Sequence, residues 1–408
     1  MRFTFIHAAD LHIDSPFAGL RLKDEDVARR FANAGRRAVE ALINETVASE
    51  AAFLILAGDV FDGDWKDVTT GLFFVRAVSA LHRAGIPTFM VKGNHDAESL
   101  MSRGLAYPNT VNVFPSSKAA TIILDAYRVV LHGRSFPNRF TAEFVETYPA
   151  RRDGWLNIGV LHTSLDGRPG HEGYAPCTVD DLKRFGYDYW ALGHIHAAEI
   201  VHKDPWIVFP GNLQGRSIRE TGAKGAMRVT VEDGKIVEVT PLALDGARWA
   251  HLSLDIVDAD REDEVVARVT AAIADAHRDA EGRPLAIRVT LTGSALLHNQ
   301  LIARRELLED DIRARALQFG DDCWVEQLKV RTTLPPRPAA NLSAEDSLDL
   351  DRMLAEAAQD PEFAAAMAEL IDTVKAKLPK DLHDELLAED LQNKLVCEAR
   401  ALLSGALS

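Results

Sequence analysis

Aspartate, asparagine and histidine side chains recur in this sequence where short apolar runs end. The runs lead, in chain order, into the segments ADLH, GDVFD, GNHD, VLHTS and GHIH. The metal-ligating residue types among them are Asp10, His12, Asp59, Asn94, His95, His162, His194 and His196. In open α/β sheets the carboxyl ends of the strands meet at one crevice, so we expect these side chains to surround one point. The chemistry they predict is that of a dinuclear metal site.

The types of these side chains suit two divalent cations. A carboxylate can bridge two ions that lie roughly 3.5 to 4 Å apart, and Asp59, directly after Gly58, can fill that place. Histidine nitrogens suit Mn, Fe or Zn, while Asp10 adds a hard anionic oxygen and Asn94 a neutral one. Two carboxylates against two dications leave a net positive charge, so the site would attract phosphate.

Each segment alone also has an ordinary structural interpretation. Asp10 and His12 can form a strand end with a solvated turn, and GDVFD can be a turn after which Asp62 or Asp64 caps a helix. GNHD can be a loop whose side chains bond its own backbone, and His162 can be a buried, hydrogen-bonded histidine. The two histidines of GHIH face one side of a strand end, which favours ligation more strongly. All five segments in series favour the metal centre over these alternatives.

Length and composition limit the class of protein. A chain of 408 residues predicts two or three domains. Its 46 basic and 61 acidic residues disfavour a broadly basic surface but allow a local basic groove for phosphates. Cys177, Cys323 and Cys397 are too few and too scattered for a disulfide framework, which fits a reducing cytoplasm. No secretory leader or membrane span is indicated, so we expect a cytoplasmic protein without a membrane segment.

Apolar runs alternate with amphipathic stretches up to about residue 245, which predicts an α/β catalytic domain over residues 1–245. The expected strands are FTFIHAAD, AAFLILAGD, IPTFMVKGNHD, LNIGVLH, YDYWALGHIH and WIVFPGN, followed by a hairpin with the turn EDGK. Residues 249–332 predict a smaller α/β module, with its second helix over 299–317. Residues 333–346, with three prolines, are expected to form a linker. Apolar stripes predict helices over residues 347–408.

The motif series over residues 10–196 resembles the calcineurin-like metallophosphoesterase pattern of Asp-x-His, Gly-Asp-x-x-Asp, Gly-Asn-His-Asp, His and Gly-His-x-His. LHTSLDGRPGHEGYAPCT, YDYWALGHIH and IVFPGNLQGRSIRETGAKGA are similar to the YhaO- and SbcD-type bacterial DNA repair exonucleases. The resemblance implies an α/β fold: a four-layer α/β/β/α sandwich with a small α/β cap domain and C-terminal helices.

The resemblance also implies a role for each matching residue. One ion would be held by Asp10, His12, Asp59 and His196, and the other by Asp59, Asn94, His162 and His194. The two ions would be Mn, with Fe, Zn or Mg as alternatives. His95 would stand beside the leaving group as a catalytic residue. Asp62 occupies a place where end-processing relatives often carry a second histidine; it can orient His95 but cannot donate a proton as an imidazolium would.

The resemblance implies that the protein hydrolyses DNA phosphodiester bonds, as an exonuclease or endonuclease acting on DNA ends. As in the family, a coiled-coil SMC-like ATPase would be the partner and would dock on the C-terminal helices; packing on their own chain or homodimerisation are the alternatives. Arg134, Arg216 and Arg219, with Lys224, are the substrate-binding candidates, against an interpretation as solvated loop charges. Two other functions stay open: a small-molecule phosphodiesterase or phosphatase with the cap as a lid, and a metal-binding scaffold with little catalysis.

Overall fold

The chain forms two compact units. The first comprises residues 1–250 and 278–286, and the second comprises residues 251–277 and 287–408. The domain boundaries expected from the sequence stay a prediction. The structure, a computed structural model, describes residues 1–15, 31, 33–62, 68–98, 105–138, 145–166, 175–335, 356 and 360–377.

Short strands and helices alternate along the first unit. The strands are β1 Arg2–Ala8, β2 Leu54–Ala57, β3 Thr88–Val91, β4 Val111–Val113, β5 Ala120–Leu124, β6 Val129–Gly133, β7 Leu156–His162, β8 Tyr189–Gly193, β9 Glu199–Lys203, β10 Trp206–Phe209, β11 Gly225–Glu232 and β12 Lys235–Ala243. The helices are α1 Ala34–Ala48, α2 Val68–Arg83, α3 Asn94–Glu98 and α4 Val179–Arg184. The strands form two six-stranded sheets, ordered β12-β11-β1-β2-β3-β4 and β5-β6-β7-β8-β10-β9.

The two sheets pack face to face over an apolar core. The ring of Phe5 on β1 stacks on Phe53 at 4.8 Å between centroids and meets Tyr189 of the other sheet edge-on at 5.5 Å. Ile158 of β7 is fully buried in the same core. Burying each such side chain contributes about 1.5–3 kcal/mol, so this interface fixes the two sheets against each other.

The outer face of each sheet is covered by helices. Alternate residues of β2 point to opposite sides: Leu54 and Leu56 pack in the cluster that includes α1 and α2, while Ile55 and Ala57 face the second sheet. Because both faces of β2 are buried, its sequence is continuously apolar. On the second sheet Trp190 packs in a cluster with residues of α4. The layer order α/β/β/α is the predicted fold class, which is confirmed.

The hairpin predicted at EDGK is confirmed, whereas several strands were not predicted. Glu232 of β11 lies opposite Lys235 of β12, and the turn residues Asp233 and Gly234 have φ of 49° and 77°. Positive φ at both central residues is what a type I′ turn requires. The strands β4, β5, β6 and β9 are absent from the prediction. Three of them, β4, β5 and β9, lie at sheet edges, where half-exposed residues give no long apolar run.

The second unit contains most of a three-stranded sheet, and helices lie between and after its strands along the chain. Its strands are β13 Arg248–Asp255, β14 Leu285–Ser294 and β15 Cys323–Thr333, in the order β13-β14-β15. The helices are α5 Glu262–Asp279, α6 His298–Ala303, α7 Arg305–Ala316 and α8 Pro361–Lys377. The single helix expected over 299–317 is wrong: the chain breaks at Arg304, whose φ of −109° and ψ of 18° are not α-helical.

The C-terminal prediction is covered in part. Helix α8 contains Phe363, Met367 and Leu370, which belong to the apolar pattern predicted for this region. Most of the predicted linker and residues 378–408 of the predicted helical region lie outside the described residues. Among the described helices, none combines the length and apolar character that a membrane crossing requires.

The five segments with candidate ligands lie at the carboxyl ends of strands from both sheets. Strands β1, β2 and β3 run parallel to one another in the first sheet, and β7 and β8 run parallel in the second. ADLH, GDVFD and GNHD follow the first three strands, while VLHTS and GHIH end or follow the other two. The fold therefore joins ligands from two sheets.

Replacing Ile158 by alanine is expected to lower the free energy of unfolding by about 2–5 kcal/mol, because it leaves a cavity between the sheets. Urea denaturation followed by circular dichroism measures this. The matched control is Val237→Ala, at a side chain that is 50% exposed on β12, with an expected change below about 0.5 kcal/mol. Equal losses in the two variants would contradict the assigned core.

Candidate metal centre

The backbone is strained at several predicted ligands. Positive φ occurs at Asp10 (51°), His12 (41°), Asp59 (50°) and His194 (100°), a conformation that side-chain-bearing residues rarely adopt. Such residues cost on the order of 1–3 kcal/mol each and persist only where their surroundings hold them. Here Asp10 N donates to Gly58 O at 3.0 Å and His12 N donates to Asp59 O at 3.1 Å. The loops after β1 and β2 therefore fix each other.

Two glycines allow these loops to approach. Gly58 has φ of 97°, and a Cβ there would lie 2.4 Å from His162 Nδ1. A Cβ on Gly93 would lie 2.2 Å from Asp59 Oδ1. The glycines of GDVFD and GNHD are therefore required because larger residues would displace a predicted ligand.

One cluster consists of Asp10, His12 and His196, with ligand atoms within 4.8 Å of one another. The Nε2 atoms of His12 and His196 face each other at 3.3 Å. The Asp10 carboxylate accepts hydrogen bonds from His194 N at 3.1 and 2.9 Å, which ties this cluster to β8. Two imidazole nitrogens and a carboxylate converging on one point form a donor set that suits a divalent cation.

The second cluster consists of Asp59, His162 and His194. His162 Nδ1 donates to Ala57 O at 2.9 Å, which leaves Nε2 facing Asn94 Oδ1 at 3.0 Å and Asp59 Oδ2 at 3.3 Å. Burial opposes a charge on this ring, but the Asp59 carboxylate raises the pKa of His162 to about 9. The oxygens of Asn94 and Asp59 thus converge on Nε2, where positive charge is stabilised. A divalent metal meets the same demand, so these residues fit one.

His95 and Asp62 lie beside the first cluster. His95 Nδ1 is 3.1 Å from Asp62 Oδ1, and His12 Nδ1 is 3.5 Å from the same oxygen. The hydrogen bond with Asp62 raises the pKa of His95 above its ordinary value. Burial works against ionisation of Asp62, but hydrogen bonds from His12 and His95 keep its pKa far below the usual range. Asp62 is thus an anion shared by the two rings.

The structure brings all seven predicted ligands together, with His95, Asp62 and Arg216 beside them. Arg216 Nη1 lies 3.3 Å from Ser15 Oγ and 3.9 Å from Asp62 Oδ2. Arg134 instead donates to Ser116 O and Thr147 Oγ1.

The substrate-binding role of Arg134, Arg216 and Arg219 stays a prediction. The ligand roles, and bridging by Asp59, also stay predictions.

Sequence reasoning missed Glu220. Its Oε1 accepts a hydrogen bond from His196 Nδ1 at 2.7 Å. Burial disfavours the carboxylate, but the contacts with His196 and Arg216 lower the pKa of Glu220 to about 2. The signal in the sequence is a single glutamate in the basic segment GRSIRETGAKG, where the positive charges dominate.

Two neighbouring clusters of carboxylate and imidazole groups at the strand ends of a double sheet define a metal-dependent hydrolase. The calcineurin-like phosphoesterase family model matches residues 3–198, and the model of the metallophosphoesterase YhaO middle domain matches residues 249–333. The uncharacterised metallophosphoesterase YhaO of Bacillus subtilis is 33% identical over 297 residues, covering 72% of each chain. The chain belongs to the calcineurin-like metallophosphoesterase family.

Two solved structures are also similar at 12% identity. A dimetal phosphatase from Danio rerio covers 58% of this chain and 98% of its own, with a TM-score of 0.35. The other covers 59% of this chain and 99% of its own, with a TM-score of 0.34.

The two histidines of GHIH are expected to serve different ions. His196→Ala should chiefly empty the site of the first cluster, and His194→Ala that of the second, so each variant falls from about two bound Mn²⁺ ions to about one. Elemental analysis after gel filtration measures the content. His202→Ala is the control, because the His202 ring contacts Pro205 O outside both clusters. Loss of both ions in each variant would contradict the assignment.

Proposed function

We propose that this protein is a Mn²⁺-dependent nuclease that hydrolyses phosphodiester bonds at DNA ends in the cytoplasm, together with an SMC-like coiled-coil ATPase. The observation that carries the hydrolytic part is the Asp62–His95 pair beside the two ligand clusters, with His95 Nδ1 3.1 Å from the carboxylate. A metal scaffold without catalysis would have no use for this pair. The resemblance of the segments YDYWALGHIH and IVFPGNLQGRSIRETGAKGA to those of YhaO- and SbcD-type DNA repair exonucleases supports DNA as the substrate.

In this proposal His95 protonates the departing oxygen. Asp62 holds Nδ1, so Nε2 is the nitrogen left to face a substrate, and the raised pKa of His95 favours the imidazolium that can donate. The His95 side chain is 33% exposed, whereas the ring of His12 is 1% exposed. His95 is therefore open to a substrate. Asp62 acts by keeping that ring charged and oriented, which a carboxylate can do without donating a proton itself.

The ligand sets are assigned as the family resemblance implies. Asp10, His12, Asp59 and His196 would hold one ion, and Asp59, Asn94, His162 and His194 the other. Two divalent ions bound there would lower the pKa of a coordinated water and offset the charge of phosphate oxygens. The mixture of imidazole and oxygen ligands is compatible with Mn, and Fe, Zn and Mg are the alternatives.

Arg216 is the best placed substrate-binding residue. Its side chain is 22% exposed and lies beside Asp62 and Ser15, next to the first cluster. A guanidinium in that position can donate to non-bridging phosphate oxygens. The protein carries a net charge of −15, so phosphate binding depends on local charges of this kind. Arg219 and Arg134 would contact the DNA backbone further from the metals.

The ATPase is proposed to dock on the C-terminal helical region. Phe363 and Leu370 on α8 are 38% and 53% exposed. Apolar side chains exposed on a helix are typical of helix-in-groove recognition. Homodimerisation through α8 is the competing interpretation, and size-exclusion chromatography with light scattering distinguishes the two.

A small-molecule phosphodiesterase or phosphatase is the second candidate. A cavity of about 390 Å³ is lined by Lys92, Asp96, Phe114, Ser135 and Phe136, among others. Asp96 directly follows His95, and the volume suits a small organic leaving group.

A substrate panel tests the two candidates. Protein loaded with Mn²⁺, Mg²⁺ or Zn²⁺ is incubated with end-labelled duplex DNA, single-stranded DNA and a small aryl phosphodiester. We expect cleavage of DNA from its ends with Mn²⁺, and loss of activity after chelation that returns on adding metal. Cleavage of the small ester alone would reject the DNA proposal. Cleavage of no substrate would favour the scaffold.

Two substitutions separate metal binding from proton transfer. His95→Ala is expected to keep both ions and to lower turnover by about 10²- to 10⁴-fold, because only the proton donor is lost. Asp59→Asn is expected to lose metal and activity together. Metal content and turnover are measured on the same samples. Near wild-type turnover of Asp59→Asn with both ions bound would overturn the ligand assignment.

A further inference from the structure

The loop between β10 and β11, residues 210–224, surrounds His196. Asn212 N and Lys224 Nζ donate to His196 O at 3.3 and 3.0 Å. Leu213 N donates to Asp10 O at 3.3 Å. Asp10 and His196 belong to the same ligand cluster. The 210–224 loop therefore holds the backbones of two ligands of one site.

Within this loop Glu220 holds the His196 ring itself. Its side chain is 13% exposed, and Oε1 lies 2.7 Å from His196 Nδ1. The other oxygen, Oε2, accepts hydrogen bonds from Arg216 N at 2.7 Å and from Asn212 Nδ2 at 3.0 Å. Two hydrogen bonds to Oε2 thus hold the carboxylate in place while Oε1 contacts the histidine.

The contact with Glu220 determines which nitrogen of His196 can bind metal. A carboxylate at Nδ1 stabilises the tautomer protonated there, which leaves the lone pair on Nε2. That Nε2 faces His12 Nε2 at 3.3 Å, inside the first cluster. We infer that Glu220 is a positioning residue for the first metal site, fixing the tautomer and the ring direction of His196. This inference rests on the proposed two-ion centre but does not depend on DNA as the substrate.

The second cluster is oriented by different means. His162 Nδ1 donates to the main-chain oxygen of Ala57 at 2.9 Å, which the strand itself supplies. Removing Glu220 leaves that contact in place. The inference therefore requires an asymmetric effect on the two ions, whereas a general loss of structure would weaken both sites.

The test compares Glu220→Ala and Glu220→Gln with the wild type in calorimetric Mn²⁺ titrations. Loss of such an outer-shell carboxylate typically weakens metal binding about 10- to 100-fold. We expect that loss at one site of Glu220→Ala, with the other site unchanged. Glu220→Gln should lose less, because its amide oxygen still accepts the Nδ1 proton. Glu238→Gln, at an exposed residue of β12, is the matched control and should bind both ions normally.

Nitrogen-15 spectra of the metal-free proteins provide a second measurement. The wild type should show His196 as the Nδ1-protonated tautomer, and Glu220→Ala should show a mixture. If Glu220→Ala does not fold, the test uses Glu220→Gln, for which we expect a smaller loss of Mn²⁺ affinity that is confined to one site. Unchanged affinities in the folded variants, or equal weakening of both sites, would overturn the role of Glu220. A wild type that binds fewer than two ions would instead overturn the proposed centre, and the inference with it.

Discussion

Buried acceptor atoms that lie close together are stabilised by a positive charge between them, and the fold of the first unit brings such atoms together. Asp10, Asp59 and His162 are each at most 1% exposed, and two oxygens, Asn94 Oδ1 and Asp59 Oδ2, face His162 Nε2 at 3.0 and 3.3 Å. Leaving such groups uncompensated is costly, so a cation stabilises the arrangement as well as the chemistry. The positive φ angles at the ligands and the close approaches at Gly58 and Gly93 persist because the packed sheets hold them.

The ligands come from the strand ends of two sheets rather than from one. Each sheet contributes residues to both clusters: Asp10 and His12 meet His196, while Asp59 meets His162 and His194. Hydrogen bonds cross between the sheets at this level, including His194 N to the Asp10 carboxylate. The apolar core between the sheets determines how far apart these ligands lie. The packing that stabilises the two sheets therefore also sets the geometry of the site.

The sequence predicted the elements whose signal is local. Apolar runs that end in Gly, Asp or His mark β1, β2, β3, β7 and β8, because strands buried on both faces are continuously apolar. Edge strands such as β5 lack that signal, and the break at Arg304 leaves the apolar period of α6 and α7 almost unchanged. Glu220 was missed for another reason: its partner His196 lies 24 positions earlier and meets it only in the folded chain.

The two ligand clusters differ in what orients their histidines. In the second cluster the main-chain oxygen of Ala57 on β2 orients the ring of His162. In the first cluster the carboxylates of Asp62 and Glu220 lie beside His12 and His196. Arg216 lies between these carboxylates, 3.9 Å from Asp62 and 3.5 Å from Glu220. If Arg216 binds phosphate as proposed, a phosphate that drew it away would change the electrostatic field at both carboxylates, and substrate binding would then be linked to the first metal site more strongly than to the second.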